Sequence, residues 1–290
     1  MKVGIVGQRG NHRAVALVGN IADRLQSEGV EVVVDETTAA EFERGGVWHG
    51  ADGEATTPVP DGIPVDGLGE CDLAVSVGGD GTFLYTARGA GTTPILGVNL
   101  GEVGFLNGVS PELAVETVRE EVEHIRETGE ARTRTMPRLS AESAEWALPP
   151  ALNEVVVQGP QRGHGRGLDI EVRVDGSLYT SGHADGVLVA TTTGSTAYNL
   201  SEGGPLVHPD VPGFLVTEMC GEEAMPPLVV GIDAEITVRA DGTDRAFAIS
   251  DGRIQERLTP PGEVQLASAD VPVNLAGPPR DFFTALGKLD

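Results

Sequence analysis

The sequence changes rhythm at Gly129. Before it, short β-branched runs alternate with stretches whose apolar residues recur at helical spacing. "KVGIV" (2–6), "VEVVV" (30–34), "DLAVSV" (72–77) and "PILGV" (94–98) read as strands. Val15, Leu17, Val18, Ile21 and Leu25 mark a helix that stops at Gly29, and "TFLYTARGA" marks another. The stretch 110–129 is the clearest helix, with Ser110 as N-cap and Pro111 at the first helical position. Alternating strands and helices predict a parallel sheet covered by helices on both faces. The region 36–70, rich in Gly, Pro, Asp and Thr, reads as mostly loop with one short helix.

After Gly129 the runs are short, many alternate, and they end in glycine or Asp-Gly, the pattern of an antiparallel sheet or sandwich. The Asp-Gly pairs at 175, 241 and 251 read as hairpin turns. The expected organisation is an α/β domain over 1–128, Rossmann-like, and a β-rich domain over 129–274. A tail over 275–290, with "RDFFTALGKLD" as one amphipathic helix, returns to the first domain.

Charge narrows the partners. The formal net charge is −24 and the only lysines are Lys2 and Lys288. Such a surface repels nucleic acid and anionic membrane, so neither is expected as a partner. The plain reading of this acidity is a solvated surface adapted to high salt; a metal-hungry surface is the sharper alternative. Cys71 and Cys220 form no CxxC motif or disulfide framework, and no apolar run suits a signal peptide or membrane span. A soluble protein of the cytoplasm is expected.

"SVGGDGT" (76–82) lies where a buried strand ends. It is either a glycine turn capped by aspartate, or a loop whose amides meet a phosphate. Gly78, Gly79 and Gly81, followed by Thr82 and a helix, would aim free N–H groups at an anion. Asp80 does not suit a phosphate cradle, so it needs another role: base for a hydroxyl, magnesium-shell ligand or partner to a ribose. No GxxxxGK[ST] occurs and no GxGxxG follows the first strand, which disfavours a Walker-type nucleotidase and an ordinary dinucleotide dehydrogenase. "NLGEVGFL" (99–106) adds a second glycine-rich loop after the next strand, and ligands of open α/β sheets bind at that carboxyl edge. Asn153 and Glu154 suit an adenine edge and ribose hydroxyls, or are simply a solvated pair. In "DGVLVATTTGSTAYNLSEGGP" (185–205) hydroxyls gather at a helix start and Tyr198 can stack on a ring; a capped helix with a half-buried tyrosine is the plainer reading.

In this order and at these separations, "GGDGT", "NLGEVGFL", "LNEV" and "DGVLVATTTGSTAYNLSEGGP" resemble the NAD kinase family over nearly the whole chain. The resemblance implies phosphorylation of NAD at the 2'-hydroxyl of its adenosine ribose. ATP is the donor, inorganic polyphosphate in some members, with a divalent metal, usually magnesium. It implies NAD in a cleft between an α/β and a β-rich domain, and homodimers or homotetramers. By the same resemblance Asp80 is the proton acceptor, and Asp80 and Gly81 line the dinucleotide site. Asn153 and Glu154 match the family's Asn-Glu pair, Asp185 its acidic residue before the TGSTAY stretch, and Thr196, Ala197, Tyr198, Asn199, Leu200 and Ser201 its contacts to ribose and base. His164 and His183 fall where the family often has a basic or polar contact.

Several positions depart from that pattern. Thr192 stands where the family has proline, Tyr85 where a basic residue is frequent, "MPPLV" (225–229) where Arg-Pro-Leu is usual, and Arg253 where Gln or Asn is common. Two cationic groups are therefore missing from the phosphate contacts. Two other readings compete with NAD kinase: a lipid kinase of the diacylglycerol or sphingosine type, which shares a GGDGT-like loop, and a dinucleotide sensor without catalysis. The first would need an apolar cleft, and the second leaves Asp80 without a purpose.

Overall fold

The computed structural model describes residues 1–45, 58–101, 104–161, 163, 167–221, 225–278 and 282–287. In chain order the first elements are β1 (Lys2–Gly7), α1 (His12–Ser27), β2 (Glu31–Asp35), α2 (Glu36–Gly45), β3 (Asp61–Ile63), β4 (Leu73–Gly78), α3 (Asp80–Ala90), β5 (Ile95–Asn99), α4 (Ala114–Thr128) and β6 (Thr133–Met136). Then come β7 (Leu139–Glu142), β8 (Ala147–Ala151), β9 (Glu154–Gln158), β10 (Leu168–Val174), β11 (Ser177–Ala184), β12 (Gly186–Thr191) and α5 (Tyr198–Ser201). The last are β13 (Gly213–Met219), β14 (Leu228–Gly231), β15 (Ile236–Asp241), β16 (Ala246–Ser250), β17 (Ile254–Leu258), β18 (Gly262–Ser268), β19 (Val273–Ala276) and α6 (Phe282–Leu286).

Two compact units result: Met1–Thr135 with Val273–Asp290, and Met136–Pro272. The first holds one sheet in the order β3-β2-β1-β4-β5-β19-β6, in which each pair from β3 to β19 is parallel. Its central strands β4 and β5 are buried at every position, as expected of parallel strands covered on both faces, and this is why they read as unbroken apolar runs. Helices α1 and α4 bury Val18, Ile21, Leu25, Val118 and Val122 in the same core as β1, β2 and β4.

The second unit is a sandwich of two six-stranded sheets, β11-β10-β15-β18-β7-β8 and β14-β13-β12-β9-β16-β17. Its main core draws Ile170, Val172 and Val238 from one sheet and Val155, Val157, Val187 and Val189 from the other. The first sheet alternates buried and open positions, as in β15. In the second, β12 is buried throughout, because Tyr198 and Val207 pack on its outer side against Leu188 and Ala190.

Four sequence expectations change. Residues 129–135, assigned to the second domain, lie in the first unit, where β6 extends its sheet. The stretch 36–70, expected to be mostly loop with one short helix, holds such a helix as α2 and adds β3 and a 3-10 turn at Val65–Glu70. Asp35 starts α2 by accepting hydrogen bonds from the amides and hydroxyls of Thr37 and Thr38, and the one large apolar side chain this short helix buries is Phe42, too few for a periodic signal. Asp175-Gly176 and Asp251-Gly252 do turn hairpins, but Asp241-Gly242 follows β15 in one sheet and leads to β16 in the other. The tail helix spans Phe282–Leu286 among the described residues. No helix among them is long and apolar enough to cross a membrane.

Helix α3 carries the glycine loop at its N-terminus, and Gly89 near its other end seats it. A Cβ at Gly89 would lie 2.0 Å from the backbone oxygen of Val65, whereas at Gly79 it would meet nothing within 4 Å. Gly89→Ala is expected to destabilise the protein by on the order of 3 kcal/mol, and Gly79→Ala to leave stability unchanged, in chemical unfolding at fixed salt.

Candidate active site

In the first unit the loop begins where β4 ends. Gly78 is there because a Cβ would lie 2.4 Å from Thr82 Oγ1. Gly79 caps α3, its carbonyl accepting from the amides of Thr82 (2.9 Å) and Phe83 (3.2 Å). The first amides of an eleven-residue helix thus open beside half-buried Gly79 and exposed Gly81, a main-chain arrangement suited to an anion.

Asp80 is turned away from that amide cluster. Its carboxylate accepts from the main-chain N–H of Phe105 (Oδ2, 3.0 Å) and Leu106 (Oδ1, 3.2 Å) in the loop after β5. Two such bonds fix its orientation, and each oxygen keeps a lone-pair direction free for a proton. A Cβ at Gly104 would come within 3.1 Å of Asp80 Oδ1, so the glycine gives this carboxylate its space. Phe105 in turn stacks obliquely on Phe282 of α6, ring centroids 6.2 Å apart. Tyr85, in the position of the missing cation, has its hydroxyl pushed up in pKa by burial and then by the charges of Asp35 and Glu36, so it remains a neutral phenol.

In the second unit Asn153 and Glu154 open β9, both buried. The segment 191–201 is fastened to them by main-chain contacts. Thr191 N donates to Asn153 O (2.8 Å), Thr191 Oγ1 donates to Leu152 O (2.6 Å), and Gly194 N donates to Thr191 Oγ1 (3.2 Å). Gly194 presses so closely on Asn153 that a Cβ would lie 2.1 Å from its carbonyl oxygen. Thr192 preserves the turn without proline: its φ is −64° and its hydroxyl donates to Pro209 O at 3.3 Å.

Not every predicted contact faces outward. Asn199 is fully buried, its amide donating to Pro205 O (3.1 Å) while its Oδ1 accepts from Thr217 (2.9 Å), so it braces the segment. Thr196, Ala197, Tyr198 and Leu200 are half-buried and Ser201 is exposed. Asp185 holds the amide of Gly163 with both oxygens (3.0 and 3.1 Å). His183 lies on β11 in the opposite sheet from Asn153 and Glu154, its Nδ1 2.9 Å from Asp169 Oδ1. His164 lies outside the described residues.

The residue that the sequence did not single out is Asp251. Its carboxylate accepts from the amides of Leu152 (3.0 Å), Asn153 (2.8 Å) and Glu154 (3.3 Å). Its only sequence mark is the Asp-Gly pair, which spells a turn and not a clamp across some hundred residues. Glu154 itself has its pKa raised to about 8, by burial first and the charge of Asp251 second, opposed by the Tyr198 amide.

A Rossmann-like sheet ending in a carboxylate-bearing glycine loop, with a sandwich that presents a buried amide–carboxylate pair, defines the class as a nucleotide-handling phosphotransferase of two domains. The ATP-NAD kinase N-terminal domain matches residues 3–128, and the ATP-NAD kinase C-terminal domain matches 152–276. NAD kinases of Haloarcula marismortui and Halobacterium salinarum are 60% and 55% identical to the chain, each over 100% of both sequences. The crystal structure of an Archaeoglobus fulgidus NAD kinase in complex with ATP superposes with a TM-score of 0.78 at 27% identity, over 100% of this chain and 98% of that one. The fold is also that of yeast NADH kinase complexed with NADH, with a TM-score of 0.84 at 23% identity, over 100% of this chain and 87% of that one.

The chain belongs to the NAD kinase family. It is an NAD kinase in activity, and the lipid-kinase and sensor readings fall away against relatives that match over the full length.

Because Glu154 is protonated in the folded chain and ionised in the unfolded one near neutrality, folding takes up a proton. Its contribution to stability is full below about pH 4.5 and is lost as pH rises toward about 8. Glu154→Gln, a neutral isostere, is expected to gain stability relative to wild type between those limits, by up to a few kcal/mol, in ligand-free unfolding measured across pH.

Proposed function

We propose that the chain transfers the γ-phosphoryl group of ATP to the 2'-hydroxyl of the adenosine ribose of NAD, with Asp80 accepting the hydroxyl proton. The observation that carries this is the Asp80 carboxylate, oriented by the amides of Phe105 and Leu106 at the end of the parallel sheet. A ribose hydroxyl is a poor nucleophile, and a carboxylate within hydrogen-bond reach takes its proton as the bond to phosphorus forms. The amides of Gly79, Asp80 and Gly81 and the hydroxyl of Thr82 at the start of α3 receive the donor's phosphates, with Gly78 leaving room for the turn. Asn153, Glu154 and the half-buried face of Thr196–Ser201, including Tyr198, receive adenine and ribose. Asn199 supports that face from within, and Asp185 orders the loop at Gly163. His183, held by Asp169, and His164 are weaker candidates for contact.

Magnesium fits as an ion carried on the donor's phosphates. Among the described residues no group of three or more His, Cys, Asp or Glu converges to cage it, and this ion usually keeps waters and phosphate oxygens as ligands. Bound there, it would neutralise charge developing on the phosphoryl group. Inorganic polyphosphate presents the same repeating oxygens and is the alternative donor. A homodimer or homotetramer in the cytoplasm, with a surface adapted to high salt, completes the reading. The acidic balance and the Haloarcula and Halobacterium relatives support the last point.

Asp80→Asn tests the assignment. The amide keeps the size and the site's shape but cannot accept the proton. Turnover is expected to fall by at least about a hundredfold with NAD affinity little changed. Turnover near wild type, measured as NADP formed, would remove Asp80 as the base.

A further inference from the structure

Asp251 lies at the tip of the β16–β17 hairpin in the left-handed region, φ 46°, and is 8% exposed. A turn alone does not require this carboxylate to be buried. It is turned inward onto the neighbouring strand, where it accepts all three consecutive amides Leu152, Asn153 and Glu154, while its own N–H donates to Glu154 O at 2.9 Å. The ladder between β16 and β9 ends immediately before, at Ser250 opposite Val155. Without Asp251 the three amides at the head of β9 would have no partner across that end of the ladder, and the residues they belong to would lose their fixed direction.

We infer that Asp251 is a positioning residue of the kinase: through the main chain it holds the Asn153–Glu154 pair in the orientation that receives the dinucleotide. The inference rests on the proposed function for the role of that pair.

A second observation comes from Glu154. Its Oε2 is buried with no hydrogen-bond partner among the described residues, beside a carboxylate that is itself committed to amides. Around it lie Asp251 on the hairpin, the Tyr198 amide at the start of α5, and Ala190, its paired residue on β12. Arg138, buried and donating to Val271 O, faces Asp251 electrostatically and offsets its charge. Burial first and the charge of Asp251 second therefore keep a proton on Glu154 into the neutral range, supplying a hydroxyl donor and adding no charge against an anionic dinucleotide. Asp251 thus acts twice on the same pair, by geometry through three amides and by its field on one side chain.

The test is Asp251→Asn beside wild type, Glu154→Gln and the double variant, with NAD affinity, kcat and KM measured from pH 6 to 9.5 and unfolding followed in the same buffers. Asparagine keeps one acceptor oxygen and the shape, so a folded protein is expected, with KM for NAD raised on the order of tenfold and kcat changed less. The pH above which NAD affinity declines should move down in Asp251→Asn, and the shift should vanish in the Glu154→Gln background. Lower stability with wild-type affinity and an unmoved pH profile would overturn the inference and leave Asp251 as a turn residue only. If the variant does not fold, hydrogen exchange of the wild type decides: amides 152–154 protected until global unfolding support the clamp, and fast exchange there rejects it. Wild-type protein that fails to bind NAD would count against the proposed function itself, a result distinct from equal binding by wild type and variant.

Discussion

Main-chain N–H groups direct the carboxylates around which this enzyme is built, with Arg138 offsetting the charge of Asp251. Asp80 is fixed by two of them, Asp251 by three, and Asp185 by one that reaches both its oxygens. Hydrogen bonds to ionised groups are each worth about 1.5–3 kcal/mol, enough to fix a side chain's direction without a counter-ion. A chain with 20 basic against 44 acidic residues has little else to use. The glycines stand where a backbone comes close to a hydroxyl, a carboxylate or a carbonyl and a Cβ would be the obstacle, as at Gly78, Gly104 and Gly194.

The two units divide the work by their architecture. A parallel sheet ends all its strands on one edge, where loops and helix N-termini collect, and that edge carries Asp80 and the glycine loop. The antiparallel sandwich offers no such edge. It makes its surface by folding the 191–201 segment back over β12 and tying it to β9 through Thr191 and Gly194. The cost is a strand buried on both sides, which explains the run of apolar residues in 186–190, shared by its neighbours β9 and β13, in a domain whose other sheet alternates.

What could be read from the sequence was what is local. Strand and helix periods gave both architectures, and glycine spacing with a misplaced acid marked the loop around Asp80. What escaped were contacts across long separations. Asp251 reaches residues 152–154 over about a hundred positions, and nothing local distinguishes it from Asp175, an equally good hairpin turn. Asp241, which carries the same Asp-Gly mark, turns out to connect two sheets. Asn199 was legible as a polar residue in a binding stretch, but only its neighbours Pro205 and Thr217 reveal that it faces inward. The short helix expected within 36–70 could not be placed from periodicity, because Asp35 initiates α2 through capping and Phe42 is its one large buried anchor.

On the proposed function, an acidic protein that takes ATP through amides and a phosphate-borne ion would work against its own field. Salt screens that repulsion, whereas it would weaken binding that depended on arginines. The most direct measurement is KM for ATP at saturating NAD and magnesium, taken from about 0.1 M to 3 M KCl. Amide-based binding predicts a KM that falls or stays level as salt rises. A KM that climbs steadily with salt would show that cationic side chains hold the phosphates, and would contradict the account.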